Sequence, residues 1–233
     1  MAGNRVFAAL IRHGDYQQLA NTPSAHQPFQ LTSKGFTQAT ELAPLIKQHC
    51  KKLNCEVNPI VASSRLLRAW QTAIEMVAGL DNASIKVEQY SDLAERSVGS
   101  VANLSTQQIT ELVKLDPRFK ELPPHWKSNS HFRLPFQGAE SLMQAGNRVA
   151  NFLTAQMQAL QQTNQGNQLK VFVAHGAAIR HAAHHLRLLE FEQIAQLSMY
   201  HCKPIFVEYT REGKWLHIAG DWKIRNKHSK FTD

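Results

Sequence analysis

Three short apolar runs dictate what this chain can become: residues 6–11, 59–62 and 169–174. Each is strand-sized, nearly unbroken by polar residues, and followed at once by residues suited to holding an oxyanion. A strand that reads apolar throughout is buried on both faces, the condition of a parallel sheet covered by helices on either side. The intervening segments supply those helices. Leu31-Thr32 leads into a helix through about Leu53 with Thr32 as its N-cap, and Ser63-Ser64 stand as N-caps of another from about Arg65 to Ala78. Helical patterning returns over 106–115, 139–162 and 177–187, with a weaker strand signal at 85–93. Residues 204–209 and 215–219 read as a hairpin around Arg211-Glu212-Gly213. This alternation predicts an α/β chain: a three-layer α/β/α architecture with a mainly parallel central sheet, an antiparallel edge hairpin and a loop-rich insertion over the active site. At 233 residues, with no linker to divide it, one domain over 1–233 is expected, with 94–138 as an insertion or lid and 220–233 as a basic C-terminal tail.

The chain carries 26 Lys and Arg against 18 Asp and Glu, a net charge of +8. Such an excess suits nucleic acid, an anionic membrane or an acidic substrate. No apolar run reaches the roughly 18–20 residues of a membrane span, and Arg12-His13 interrupts the first run too early for a secretory signal. The cysteines, Cys50, Cys55 and Cys202, are too few and odd in number for a disulfide scaffold. A cytoplasmic protein with reduced thiols and no membrane partner is expected.

The first run ends in Arg12-His13-Gly14, the second in Ser63-Ser64 with Arg65 and Arg68 just beyond, and the third in His175-Gly176. Ligands of open α/β sheets bind outside the carboxyl ends of strands, where helix N-termini also favour anions. The layout therefore gathers two histidines and two or three arginines around one anion-sized hole. Arginine meets phosphate oxygens with a planar, permanently charged fork. A neutral imidazole is a good nucleophile, and a second, cationic histidine would stabilise the transferring phosphoryl group. Taken singly, each residue is as readily an ordinary surface or buried polar group. Their joint occurrence at three strand ends is what points to phosphate.

With these residues in place, the chain resembles the histidine phosphatase superfamily, which includes phosphoglycerate mutase. Leu10-Ile11-Arg12-His13-Gly14 resembles its Arg-His-Gly signature, and Leu31-Thr32 with Gly35 and Gln38-Ala39 its following helix start. Ser63-Ser64-Arg65 with Arg68-Ala69 and Thr72-Ala73, then Leu93-Ala94-Glu95, then Gly138-Ala139-Glu140-Ser141 with Arg148, resemble its middle motifs. Ala174-His175-Gly176 with Arg180 resembles the second-histidine motif. The resemblance implies metal-independent hydrolysis of phosphate monoesters through a phosphohistidine, with no cofactor. It implies His13 as nucleophile, with Arg12, Arg68 and His175 around the phosphoryl oxygens beside Gly14 and Gly176. Glu95 is the implied general acid and then base, with Asp15 as its fallback, while Glu140 and Ser141 are supporting residues. Arg65, Asp15, Tyr16 and Lys127 are expected at the substrate rim.

Tyr16, the His125-Trp126-Lys127 segment and Ala219-Gly220-Asp221 with the basic tail look like the mitochondrial phosphoglycerate-mutase-like branch of Ser/Thr protein phosphatases. That likeness makes phosphoserine and phosphothreonine proteins one class of expected substrate. The chain departs from the branch in carrying Gly14 where the branch has serine. Other readings compete. His181, His184 and His185 share a helix, but no Glu stands between them as in a zinc-protease helix, and Cys50 and Cys55 are too far apart for a zinc knuckle. No metal is expected. A phospho-ligand or nucleic-acid binding module without turnover would suit the basic tail, yet the tail is short, carries acids and matches no nucleic-acid motif. No nucleic-acid partner is expected. A mutase needs a closing cover, and the stretch between Glu95 and Gly138 is long enough but Pro-rich, so hydrolysis is favoured over mutase transfer. The 204–219 hairpin would offer an edge strand for a homodimer.

Overall fold

The computed structural model describes residues 4–163 and 165–225. Residues 226–233 of the expected basic tail lie outside the described residues. The chain runs β1 (Val6–Arg12), α1 (Ser33–Thr40), α2 (Leu42–Leu53), β2 (Glu56–Val57), β3 (Ile60–Ser64), α3 (Leu67–Ala78) and β4 (Lys86–Tyr90). It continues through α4 (Thr106–Leu115), α5 (Leu142–Thr163), β5 (Gln168–Ala174), α6 (Gly176–His185), α7 (Phe191–Gln196) and β6 (Leu197–Ser198), and closes with β7 (Ile205–Tyr209), β8 (Trp215–Ala219) and β9 (Lys223–Ile224). The main sheet has the order β4-β3-β5-β1-β7-β8. Its first four strands are parallel, and β7 and β8 add an antiparallel margin.

Alternation along the strands sets the three layers. In β1, Phe7, Ala9 and Ile11 pack with Leu42 and Ile46 of α2 and with Ala73 and Met76 of α3. Val6, Ala8 and Leu10 point the other way, onto Val149 and Leu153 of α5 and Ile179 of α6. A third cluster, with Val98, Val101, Ile109, Trp126 and Leu134, gives the 94–138 insertion its own apolar centre. Ala25 of the 14–30 loop belongs to that cluster, so loop and insertion pack as one cover.

The expected helix over 31–53 is two helices. Pro44 lacks an N–H, so the Thr40 carbonyl loses its helical donor and the chain breaks at Glu41. Thr32 does cap α1, its hydroxyl oxygen accepting from Gly35 N. Ser63 and Ser64 do not cap α3 in the expected way. Both belong to β3, and the helix begins at Leu67 without a side-chain cap at Leu66. Helix α7 and the β6–β9 pair went unread because six-residue and two-residue elements are too short to carry a period. No helix among the described residues is long and apolar enough to cross a membrane.

Candidate active site

Strand register brings the three motif ends together. Arg12 lies opposite Ala174 and Ser63 opposite Val173, so β1, β3 and β5 finish side by side. His13 stays tied to this edge through its N–H to Ala174 O at 3.1 Å. The turn after it is braced by α1 and α3. A Cβ on Gly14 would stand 2.6 Å from Gly35 O, and one on Gly35 would stand 1.9 Å from Asp15 O, so only two glycines allow this approach. Thr72 Oγ1 accepts from Gly14 N at 3.0 Å, and Gln38 Oε1 accepts from Asp15 N at 2.8 Å. Thr32 Oγ1 donates to Asp15 Oδ2 at 2.7 Å, which commits the Asp15 carboxylate to the helix start.

The hydrogen bonds of His13 assign its tautomer. Gly14 O, 2.7 Å away, can only accept, so Nδ1 carries the proton. Nε2 is left with its lone pair and accepts from Arg68 Nε at 3.1 Å. Arg68 is fully buried, and its Nη1 and Nη2 donate to Gln27 O and Ala25 O, both at 2.9 Å. Its guanidinium lies 4.4 Å from the Tyr16 ring centre, and that ring meets His13 edge-on at 5.3 Å. Arg12, beside β5, donates from Nη1 to Met199 O, and a Cβ on Gly176 would come within 3.0 Å of its Cδ. Gly176 is thus the residue that lets α6 begin against this guanidinium.

His175 is 0% exposed, and its ring centre is 5.0 Å from that of His13. Ser64 Oγ accepts from Leu66 N, and the one acceptor within reach of its own O–H among the described residues is His175 Nε2, 2.9 Å away, so satisfying this buried hydroxyl makes Nε2 the acceptor. The remaining proton sits on Nδ1, which is buried and has no hydrogen-bond partner among the described residues. So Ser64, expected as a helix cap, instead orients this imidazole. Burial, reinforced by Arg68 and then by other nearby cations, pushes both His13 and His175 well below the ordinary histidine value. Both are neutral at neutral pH. For His175 this burial runs against the cationic role expected of it and favours the neutral form. A third imidazole, His201, escaped sequence reading because it sits in irregular chain before β7. Its Nδ1 meets His13 O at 2.6 Å, and its ring centre is 5.5 Å from that of His13.

Glu95 is buried, only 4% exposed. Its carboxylate accepts from Arg96 N at 2.9 Å and from Ala177 N, in the first turn of α6, at 3.3 Å. The segment carrying it is buckled down from α5. Arg148 grips Glu140 through Nε and Nη2 at 2.9 and 2.8 Å, and its Nη1 donates to Asp92 O and Ala94 O. Glu140 in turn accepts from Ser97 N. Ser141 and Gln144 exchange hydrogen bonds at the start of α5. Replacing Arg148 by Met is expected to lower kcat about tenfold or more, because charged hydrogen bonds that fix Glu95 are lost. The loss is expected to be greater for alkyl than for nitrophenyl phosphate esters. Equal loss for both, tracking a lowered Tm, would mark Arg148 as merely structural.

Glu95 lines a cavity of about 180 Å³ together with Lys127, so that rim residue faces the same space. Tyr16 and Asp15 lie around His13 instead, and Arg65 is exposed and lines none of the described cavities. The three histidines of α6 have separate partners. His181 meets Ala177 O and Ser130 Oγ, His184 meets Leu189 O, and His185 meets Met143 O.

Three buried histidines make stability depend on pH. His13 and His175 titrate well below 6.5, and burial pushes His181 down to about 3. In the unfolded chain all three protonate near 6.5, so below that pH unfolding takes up protons. The stability due to their neutral burial is complete above this range and is lost as the pH falls. From pH 6.5 to 5.5 each contributes a loss of about 1 kcal/mol. Together they should lower Tm by about 6–12 °C for a domain of this size. Calorimetric melts across that interval check this, and a flat Tm would contradict it.

Comparison with known proteins agrees with this geometry. The model of the histidine phosphatase superfamily (branch 1) matches residues 8–221. The chain is 26% identical over 226 residues to a 2,3-bisphosphoglycerate-dependent phosphoglycerate mutase of Baumannia cicadellinicola subsp. Homalodisca coagulata, covering 89% of this chain and 92% of that protein. The fold is similar to the native structure of mycobacterial glucosyl-3-phosphoglycerate phosphatase, with a TM-score of 0.67, 19% identity, and 95% and 99% of the two chains covered. It is likewise similar to phosphoglycerate mutase from Bacillus anthracis str. Sterne, with a TM-score of 0.70, 18% identity, and 93% and 92% covered. These likenesses do not carry the finer resemblance to the mitochondrial Ser/Thr protein phosphatase branch. With its motif residues gathered at one sheet edge and all but the two ends of its sequence matched, the chain belongs to branch 1 of the histidine phosphatase superfamily.

Proposed function

We propose that this protein is a phosphatase that hydrolyses phosphate monoesters through a phosphohistidine on His13. One observation carries the reading. A buried, neutral imidazole with its proton fixed on Nδ1 presents Nε2 beside Arg68 and beside the unpartnered Nδ1–H of a second buried histidine. A nucleophile, a fixed cation and an oriented neutral donor are what transfer of a phosphoryl group requires.

In the chemistry that follows, the phosphoryl oxygens draw the Arg68 guanidinium off His13 and free the Nε2 lone pair. Nε2 attacks phosphorus while the bond to the ester oxygen breaks, and protonated Glu95 gives its proton to the departing alkoxide. Arg12, Arg68 and His175 Nδ1–H neutralise or bond the equatorial oxygens. Water then attacks phosphorus, its proton passes to the Glu95 carboxylate, and the P–N pair returns to His13. Inorganic phosphate leaves, and Glu95 is again protonated. Since Ala25 O and Gln27 O hold Arg68, the 14–30 loop couples substrate entry to release of the nucleophile.

The test is a panel assay with the pure protein: a small aryl phosphate, 3-phosphoglycerate with its bisphosphate cofactor, and phosphoserine and phosphothreonine peptides. Release of inorganic phosphate is expected. Interconversion of phosphoglycerates without net phosphate release would replace hydrolysis by mutase transfer.

A further inference from the structure

The C-terminus of α2 carries two cysteines that phosphoryl transfer does not use. Asn54 closes the helix in the left-handed conformation, with φ 47° and ψ 54°. Cys55 N–H donates to Cys50 O at 3.0 Å, and Asn54 N–H donates to Lys51 O at 3.4 Å. These two bonds make a Schellman motif, in which the residues joined by the outer bond bring their side chains into contact. Both of those residues are cysteine here. Both are free thiols, and they are hydrogen-bonded to each other. Glu56, next to Cys55, pairs with Gln168 at the start of β5, so the thiols lie at the end of the sheet opposite to His13.

The two sulfurs are not equivalent. Cys50 belongs to the core beneath α2, whereas Cys55 is half-buried. The hydrogen bond between them pushes the Cys50 thiol up, with burial adding to the effect, and pulls the Cys55 thiol down against its own burial. Lys51 and Lys52 in the last turn offset the negative end of the helix. Cys55 is therefore the sulfur that ionises first, and Cys50 holds its proton against it. Both line an open groove of about 540 Å³, walled also by Lys51, Glu56 and Asn167. A small oxidant reaches the pair through this groove without unfolding the chain. Cys202, by contrast, is buried and its thiol is pushed up to about 12, mainly by that burial.

We propose that Cys50 and Cys55 form a redox site that is oxidised by small hydroperoxides and closes reversibly into a disulfide across the end of α2. The Cys55 thiolate attacks one peroxide oxygen, the O–O bond breaks, and the departing hydroxide takes the Cys50 proton and leaves as water. The Cys50 thiolate then attacks the sulfenic sulfur of Cys55, the S–O bond breaks, and the second oxygen leaves as hydroxide. Each sulfur gives up one electron, and the peroxide takes both. The test titrates the reduced full chain with hydrogen peroxide, alkylates the remaining thiols and maps the peptides by mass. Cys50 and Cys55 should disappear together into one cross-linked peptide, about tenfold or more faster than Cys202 is lost, and dithiothreitol should restore both. Cys50→Ser should leave Cys55 as a sulfenic acid that dimedone traps. Cys55→Ser should leave Cys50 open to alkylation at the same dose. A sulfenic acid on Cys55 of the unaltered chain with no cross-link to Cys50 would overturn the proposal. So would a disulfide between two copies of the chain, or two thiols left intact by a dose that oxidises free cysteine.

Discussion

Replacing His13 by Asn is expected to reduce phosphate release about 1,000-fold or more, since the covalent route is lost and only binding and charge stabilisation remain. Asn keeps a donor near Gly14 O but has no Nε2 to attack phosphorus. The measurement is kcat on a small aryl phosphate, beside a melt at pH 7.5 to confirm the fold. Because His13 is held neutral well below 6.5, the unaltered enzyme should keep its nucleophile unprotonated into mildly acidic solution. NMR of the imidazole should give one Nδ1–H tautomer with no titration between pH 8 and about 6. Retention of most activity in His13→Asn would remove the imidazole from the reaction.

Replacing Glu95 by Gln is expected to lower kcat by about 100-fold or more on alkyl phosphates. Gln keeps the size of the side chain and an acceptor for one of the two N–H groups, Arg96 N at 2.9 Å or Ala177 N at 3.3 Å, but has no acidic proton to give the departing oxygen. With a nitrophenyl ester the leaving oxygen is already stable as an anion, so the loss should shrink to a few-fold for phosphoryl transfer to His13. The phosphoenzyme should then accumulate, because the water step still lacks its base. An equal loss for both esters would place the acid elsewhere. Asp15 fits that role poorly, since its carboxylate is bonded to Thr32.

Much of this site was legible in the sequence because its residues follow strand ends. Once 6–11, 59–62 and 169–174 are recognised as neighbouring parallel strands, Arg12-His13, Ser63-Ser64 and His175 have to meet. What escaped reading depends on side-chain direction. Ser64 looked like a helix cap, but its last-strand position turns the hydroxyl towards His175. Arg65 and Arg68 looked alike on the sequence. Arg68, in the first turn of α3, is buried beneath the Ala25–Gln27 loop, whereas Arg65 lies in the bend before the helix and stays in solvent. No pattern reveals what disfavours a cationic His175, its complete burial beside Arg68. His201 lies in irregular chain and Arg225 just past the two-residue β9, so only tertiary structure assigns them a place.

The central claim is that phosphate passes through His13. Rapid quenching of the protein during turnover of a ³²P-labelled monoester, followed by peptide mapping under alkaline conditions, tests it directly. The account predicts label on the His13 peptide, stable to alkali and released by acid, absent from His13→Asn and enriched in Glu95→Gln. Label on another peptide, or steady phosphate release with no labelled protein at any quench time, would contradict it.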